Sequence, residues 1–284
     1  MSRASLDLSD FQALNLEGAL ISPAILARIA RSEASEQSDE QYSLPPGLTL
    51  REELPRFFRI GQALFQRFAA ADSPGAGATK RLVVDLLEQV FGFDDFDPGG
   101  SMLVAGDGRV PIVITPPGDA LDRPSDLLSI ERRHSAASLL QETLNREDGG
   151  LWGLACNGHM LRLMRTNNSL TRPAWIEANL VEIFGNEDFA SFSALWLLIH
   201  RSRFGRSGTP QDSALERWRD VGTREGEAAR DRLRDGVEEA LRVLGSGFLD
   251  ANPELRARLA AGDLGLDSFF NELLRLVYRL IFLM

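Results

Sequence analysis

Lysine is almost absent from this chain of 284 residues: of its 31 basic residues, all but Lys80 are arginine. Chemistry that needs a titratable amine, or the water-orienting lysine of many metal-dependent nucleases, therefore has one residue to draw on. Cysteine is as scarce. Cys156 is alone, which rules out an intramolecular disulfide and leads us to expect a reducing compartment. It falls in a strand-like run and reads as a small buried hydrophobe. One cysteine and three scattered histidines, His134, His159 and His200, lack the ligand spacing of a structural zinc site. No apolar run reaches the roughly 18 residues that a membrane span needs, and the N-terminus has no basic-then-apolar signal segment, so a cytoplasmic protein without membrane contact is expected. GxSxG, HExxH, GxGxxG and a Walker loop are also missing. The run PGAGATK has the glycines of a phosphate loop but neither its spacing nor a preceding hydrophobic strand.

What is present reads as an ordinary globular protein, with 44% hydrophobic and 25% charged residues. The formal net charge of −10 argues against a free-standing protein that grips nucleic acid mainly by long-range charge, and is compatible with a local basic face.

Taken in order, residues 1–47 form an N-terminal arm with one short helix, Ser22 to Arg31, where Pro23 suits the first helical position. An acidic, proline-ended stretch, SEASEQSDEQYSLPPG, then reads as a mobile linker. Thr49 to Glu52 has capping-box spacing and opens an amphipathic helix to about Ala70, and a second helix runs from Thr79 to Val90. SMLVAG and RVPIVIT flank Asp107-Gly108 as a hairpin, and Leu127 to Glu131 suggests a third short strand. From Ser135 an amphipathic helix leads into a hairpin turned at Asn157-Gly158, followed by the strand-like AWIEANL. From about Asp188 the pattern is helical: Ser213 to Leu244, stopped by Gly245-Ser246-Gly247, then a helix from Pro253 and a last one from Asp267 to about Leu280. The expected class is an α/β (α+β) nuclease-like core over residues 48–185, with a C-terminal all-α helical region over 186–284.

The order helix, hairpin, acid-bearing strand, helix and two strands is the kind of core used by PD-(D/E)xK nucleases. Their chemistry needs carboxylates that hold a hard divalent cation against the scissile phosphate and a lysine that orients the attacking water. Asp107, Asp119, Asp122, Asp126 and Glu131 lie in or beside the right strands, but Lys80 is far upstream. The acid-x-base triplet is Glu131-Arg132-Arg133, and arginine stays protonated and is bulkier. Gln141, one turn into the next helix, is the polar companion some of these nucleases carry.

LWGLACNGHMLRLMRTNNSLTRPAWIEANLVEIF, with SLLQETLNRED before it and ALWLLIHRSRF, LRDGVEEALRVLGSGFL and FFNELLRLVYRLIFLM after it, resembles the N-terminal region of type IIG-like restriction-modification DNA methylases. The resemblance spans roughly Leu48 onward. It implies a nuclease-like domain of the type I restriction subunit kind, a helical connector, and then an adenine-N6 methyltransferase, before which this chain stops. None of the methyltransferase motifs is present. The resemblance therefore implies a non-catalytic scaffold or DNA-contacting part of a phage-defence methylase system, with no cofactor of its own. The alternative is a metal-dependent endonuclease with an altered ExK site: Glu131, Arg133 and Gln141 catalytic, Asp107 and Asp126 holding Mg²⁺. Arg162, Arg165 and Arg172 are the candidates for phosphate contact. DNA would be bound weakly or only in a complex. A methyltransferase domain or subunit is expected against the apolar last helix, whose Ile281 to Met284 would otherwise be exposed, as in a truncated or split system.

Overall fold

The computed structural model describes residues 11–18, 20–99, 102–106, 109–128, 134–146, 150–167, 174–205 and 211–283. It divides into two compact units, residues up to Gly222 and residues from Thr223 onward.

The first unit is built on a seven-stranded sheet. Its strands are β1 (Leu14–Glu17), β2 (Phe96–Gly99), β3 (Met102–Ala105), β4 (Val110–Ile114), β5 (Trp152–Cys156), β6 (Met160–Arg165) and β7 (Trp175–Asn179). They lie in the order β1-β7-β6-β5-β4-β3-β2, and every neighbouring pair is antiparallel except β4 and β5. A parallel pair needs a crossover, here helix α4 (Ala136–Leu144). Ser135 caps it: the Ser135 hydroxyl accepts from the Ser138 N–H, and the Ser138 hydroxyl accepts from the Ser135 N–H. Successive strand residues feed opposite cores, as the period of two requires. Ile112, Leu154, Cys156, Leu161, Leu163 and Ile176 join the larger core, whereas Val113, Ala155 and Met164 join α4's Ala137, Leu140 and Leu144. Gly153 is small for a reason. A Cβ there would stand 2.7 Å from Leu140 Cδ1 and 2.9 Å from the Pro111 carbonyl oxygen, so the missing side chain lets α4 sit on the sheet.

The larger core lies under α1 (Pro23–Ala30), α2 (Leu50–Ala69), α3 (Ala76–Gln89) and α5 (Phe189–Ile199). Phe192, Trp196 and Leu198 of α5 are fully buried, so this helix belongs with the sheet; the compact units divide at Gly222, well past the residue 185 at which composition changes.

Several expectations need correction. The stretch that reads as a mobile linker is packed. Tyr42 is 1% exposed and its hydroxyl donates to the Leu197 carbonyl at 2.8 Å, the Trp218 indole N–H donates to the Ser35 carbonyl at 2.9 Å, and Gln37 is buried. β1 and β2 add two short edge strands that the pattern does not suggest. Leu127 and Leu128 lie in a turn instead of a third strand, the rest of that expected strand being outside the described residues, as is the Asp107-Gly108 turn. α3 begins at Ala76, three residues before Thr79. In the second hairpin Cys156 faces Leu161, so Gly158 and His159 form the centre and Asn157 flanks it. The Asn157 side-chain oxygen accepts from the His159 and Met160 N–H groups, and Gly158 takes φ +86°.

The second unit is helical: the continuation of α6 (Ala214–Ala251) beyond Gly222, α7 (Pro253–Ala261) and α8 (Leu266–Leu283). α6 runs straight through Gly245-Ser246-Gly247. A Cβ at Gly245 would meet Leu273 Cδ1 at 3.2 Å, so this glycine serves close packing on α8 and ends nothing.

Candidate functional site

Of the residues singled out by sequence, those described lie on α4, on strand β6 and in the segment between β4 and α4. Arg162 lies between Ala155 of β5 and Glu177 of β7 in the strand register and is only 3% exposed. Its Nη1 and Nη2 donate to both oxygens of Asp122, at 2.6 and 2.8 Å, and its Nε donates to Glu177 at 2.7 Å. The guanidinium also covers the Trp175 ring, 4.3 Å from its centroid. Burial disfavours the charged form of Arg162, but its two carboxylate partners outweigh this and raise its pKa. The same hydrogen bonds hold the Asp122 carboxyl below its usual range. Both edges of the guanidinium are therefore engaged within the protein.

Arg165 is committed in the same way. Its Nε and Nη2 donate to the two oxygens of Glu216 at 2.7 and 2.8 Å, and the Trp152 indole N–H donates to the same carboxylate at 2.7 Å. Burial of Glu216 opposes its charge, yet the Arg165 bonds bring its pKa down on balance. Gln141 donates to the Arg165 carbonyl and to Asn145 Oδ1, both at 3.1 Å, and so ties α4 to the end of β6. Asp126 is exposed in a turn. Asp119 accepts from the Ser125 hydroxyl, and its carbonyl takes the Asn157 amide at 2.9 Å, which pins the loop after β4 to the hairpin. Asp107, Glu131, Arg133 and Arg172 lie outside the described residues. Among the described residues no three His, Cys, Asp or Glu side chains come together as a metal-binding group. Burial pushes the Cys156 thiol up to about 12, so at neutral pH it is protonated and inert, the reading its strand position suggests.

Sequence reasoning does not find a cleft of about 1260 Å³ in the first unit. Its lining includes the acidic stretch of linker-like composition, the turn Arg201–Phe204 and the start of α6. Arg203, 2% exposed, is its anchor. Its guanidinium donates to the Glu36 and Gln41 carbonyls and lies 3.9 Å from the centroid of the Tyr42 ring. Arg217 pairs with Glu36 and Asp212, Arg56 with Glu53, and Arg201 with Asp94. The lining thus carries paired charges of both signs.

One pair in the cleft has the look of a nucleophile and its base. His200 Nδ1 lies 2.8 Å from Ser202 Oγ. The imidazole, however, also accepts the Ser202 backbone N–H as the cap of the following turn, and it packs tilted on Trp196, with ring centroids 4.6 Å apart. Burial, with the charges of Arg203 and Arg201, lowers its pKa to about 3. A base that weak cannot take a serine proton near neutrality, so the pair is a structural cap. The signal that could have marked this region in the sequence is small: Gly92, at φ +78°, where a Cβ would stand 2.7 Å from His200 Nε2.

No family model, no curated protein and no solved structure matches this chain. No helix among the described residues is long and apolar enough to cross a membrane.

Proposed function

We propose that this chain is a non-catalytic scaffold in a bacterial restriction-modification methylase system, the part that holds a nuclease-like core and presents it to DNA and to a methyltransferase partner. The observation that carries the reading is strand β4. It pairs in parallel with β5 across the α4 crossover, and its residues Val110, Pro111, Ile112, Val113 and Ile114 carry no acid and feed both apolar cores. A strand of this composition offers no carboxylate to a metal ion, so β4 itself adds nothing to a nuclease site. The engagement of Gln141 with the Arg165 carbonyl supports the same view, since that side chain braces the fold. With Arg162 and Arg165 paired internally, contact with DNA falls to the assembled complex, in line with the net charge of −10.

Affinity capture of the full chain from its native host, with identification of the bound polypeptides, tests the reading. The expected result is recovery of an adenine-N6 methyltransferase. Plasmid nicking by the purified chain in Mg²⁺ or Mn²⁺, abolished by Glu131→Ala, would overturn it in favour of a metal-dependent endonuclease.

A further inference from the structure

The two ring nitrogens of His200 have different fates. Ser202 Oγ accepts from Arg203 Nε at 3.1 Å and from Arg203 Nη2 at 3.0 Å, so its own proton goes to His200 Nδ1, 2.8 Å away. The Ser202 backbone N–H donates to the same nitrogen at 3.3 Å. With Nδ1 accepting twice, the neutral ring carries its proton on Nε2. That N–H has no acceptor among the described residues, although His200 is only 8% exposed. A donor withdrawn from water without an acceptor is costly, yet the fold leaves this one uncovered. A Cβ at Gly92 would stand 2.7 Å from Nε2, and both residues line the cleft of the first unit.

The charges around this N–H select its acceptor. Arg203 and Arg201 bear on His200 and, with burial, hold its pKa down to about 3, so the ring stays a neutral donor in a positive field. Arg203 is committed to the Glu36 and Gln41 carbonyls. Arg201 is held more loosely: its partner Asp94 is 68% exposed, Asp95 stands farther off at 3.9 Å, and ion pairs open to water are exchanged at little cost. The Arg201 N–H donates to the Phe91 carbonyl at 2.9 Å, which sets His200 and Arg201 beside residues 92–94. Phe57 and His200 both pack on the Trp196 ring, with centroids 5.3 and 4.6 Å from it, so an apolar surface adjoins the donor. A multiply charged anion suits the cleft poorly, because Glu36, Glu40, Glu53, Asp94 and Asp212 also line it. We infer that the cleft binds a small organic monoanion, a carboxylate on an apolar body: its carboxylate accepts from His200 Nε2 and from the Arg201 guanidinium, and its body rests on Phe57. The inference does not depend on the methylase reading.

Benzoate is the probe, titrated into the full chain and followed by amide and imidazole NMR spectra. Saturable shifts of the His200 Nε2 proton and the Gly92 amide are expected, with a dissociation constant on the order of millimolar for so small a ligand. Benzamide has the same shape without the charge and should bind at least about fivefold more weakly. Arg201→Gln removes the loosely held cation and should weaken benzoate by about fivefold. His200→Asn keeps an acceptor for the Ser202 N–H, withdraws the Nε2 donor and should cost a similar factor. Denaturation midpoints report whether each variant is folded, and if His200→Asn is not, Arg201→Gln decides. The absence of a saturable shift up to roughly 20 mM benzoate, which would leave the N–H to water alone, overturns the inference. So does benzoate binding that the folded variants leave unchanged, or benzamide bound as tightly as benzoate.

Discussion

The two compact units are both rich in amphipathic helix, yet they bury very different amounts of what they carry. In the first, Tyr42, Phe91, Phe93, Phe184, Phe192, Trp196 and Trp218 are almost completely enclosed. In the second, Leu273 and Val277 are buried while Leu233, Val243, Leu266 and Phe270 stand more than half exposed. The difference teaches that helical periodicity alone does not secure burial. The first unit has a sheet whose two faces give its helices something to cover, and its apolar residues reach it from both sides. The second has only helices, and much of their apolar surface remains in water.

The sharpest way to break this comparison is to loosen the first unit at its acidic wall. Arg203→Leu removes the buried cation that holds the Glu36 and Gln41 carbonyls and the Tyr42 ring, leaving those acceptors without this donor. Chemical denaturation should show a loss of about 4 kcal/mol, and limited proteolysis should open residues 32–47. A loss under about 1 kcal/mol would mean that the wall is held by its other bonds and the unit is less tightly coupled than its burial implies. Gly61→Ala probes the density of the same core from α2. The new Cβ would stand 2.6 Å from the Phe184 ring, so a cost of roughly 2 kcal/mol is expected despite the better helix propensity of alanine.

Acid should distinguish the units as well. The unfolded chain takes up a proton on His200 near pH 6.5, whereas in the folded protein burial delays that uptake to about 3. Between these values the unfolded state binds more protons, so stability falls as pH falls, by about 1.4 kcal/mol for each unit below 6.5. His200→Asn keeps an acceptor for the Ser202 N–H and should remove this part of the pH dependence. Denaturation midpoints of parent and variant between pH 7 and pH 5 check it; parallel slopes would show that another group carries the acid response.

Much of the first unit is legible in local pattern. The crossover helix announces itself by Ser135 and the spacing of Leu140 and Leu144, and the hairpin by Asn157-Gly158 between two apolar runs. The acidic wall is not legible, because polar composition looks like a tether and its order comes from Arg203, Arg217 and Trp218, more than 160 residues away. β1 and β2 are four residues each, and FDPG of β2 carries the very residues that usually argue against a strand. The candidate site meets the same limit. Alternation places Arg162 and Arg165 correctly on β6, but their partners lie 40 residues before one and 51 after the other, and no local spacing reveals a pairing at that range. A helix-breaking role for Gly245 follows from glycine propensity, and tertiary packing against Leu273 overrides it.

The smallest expected effect makes the sharpest contrast between the units, because it applies one substitution at two helix interiors. Gly61 and Gly236 each weaken their helix intrinsically, by about 1 kcal/mol relative to alanine. At Gly61 the core forbids a side chain, so the penalty cannot be recovered. At Gly236 no atom stands within 4 Å of the place a Cβ would take, and the position is exposed. Gly236→Ala should therefore stabilise α6 by about 0.5–1 kcal/mol, seen as slower amide hydrogen exchange through residues 230–244 and no change in the first unit. A loss of stability, or exchange that is faster, would place a close-packed neighbour against this face of α6.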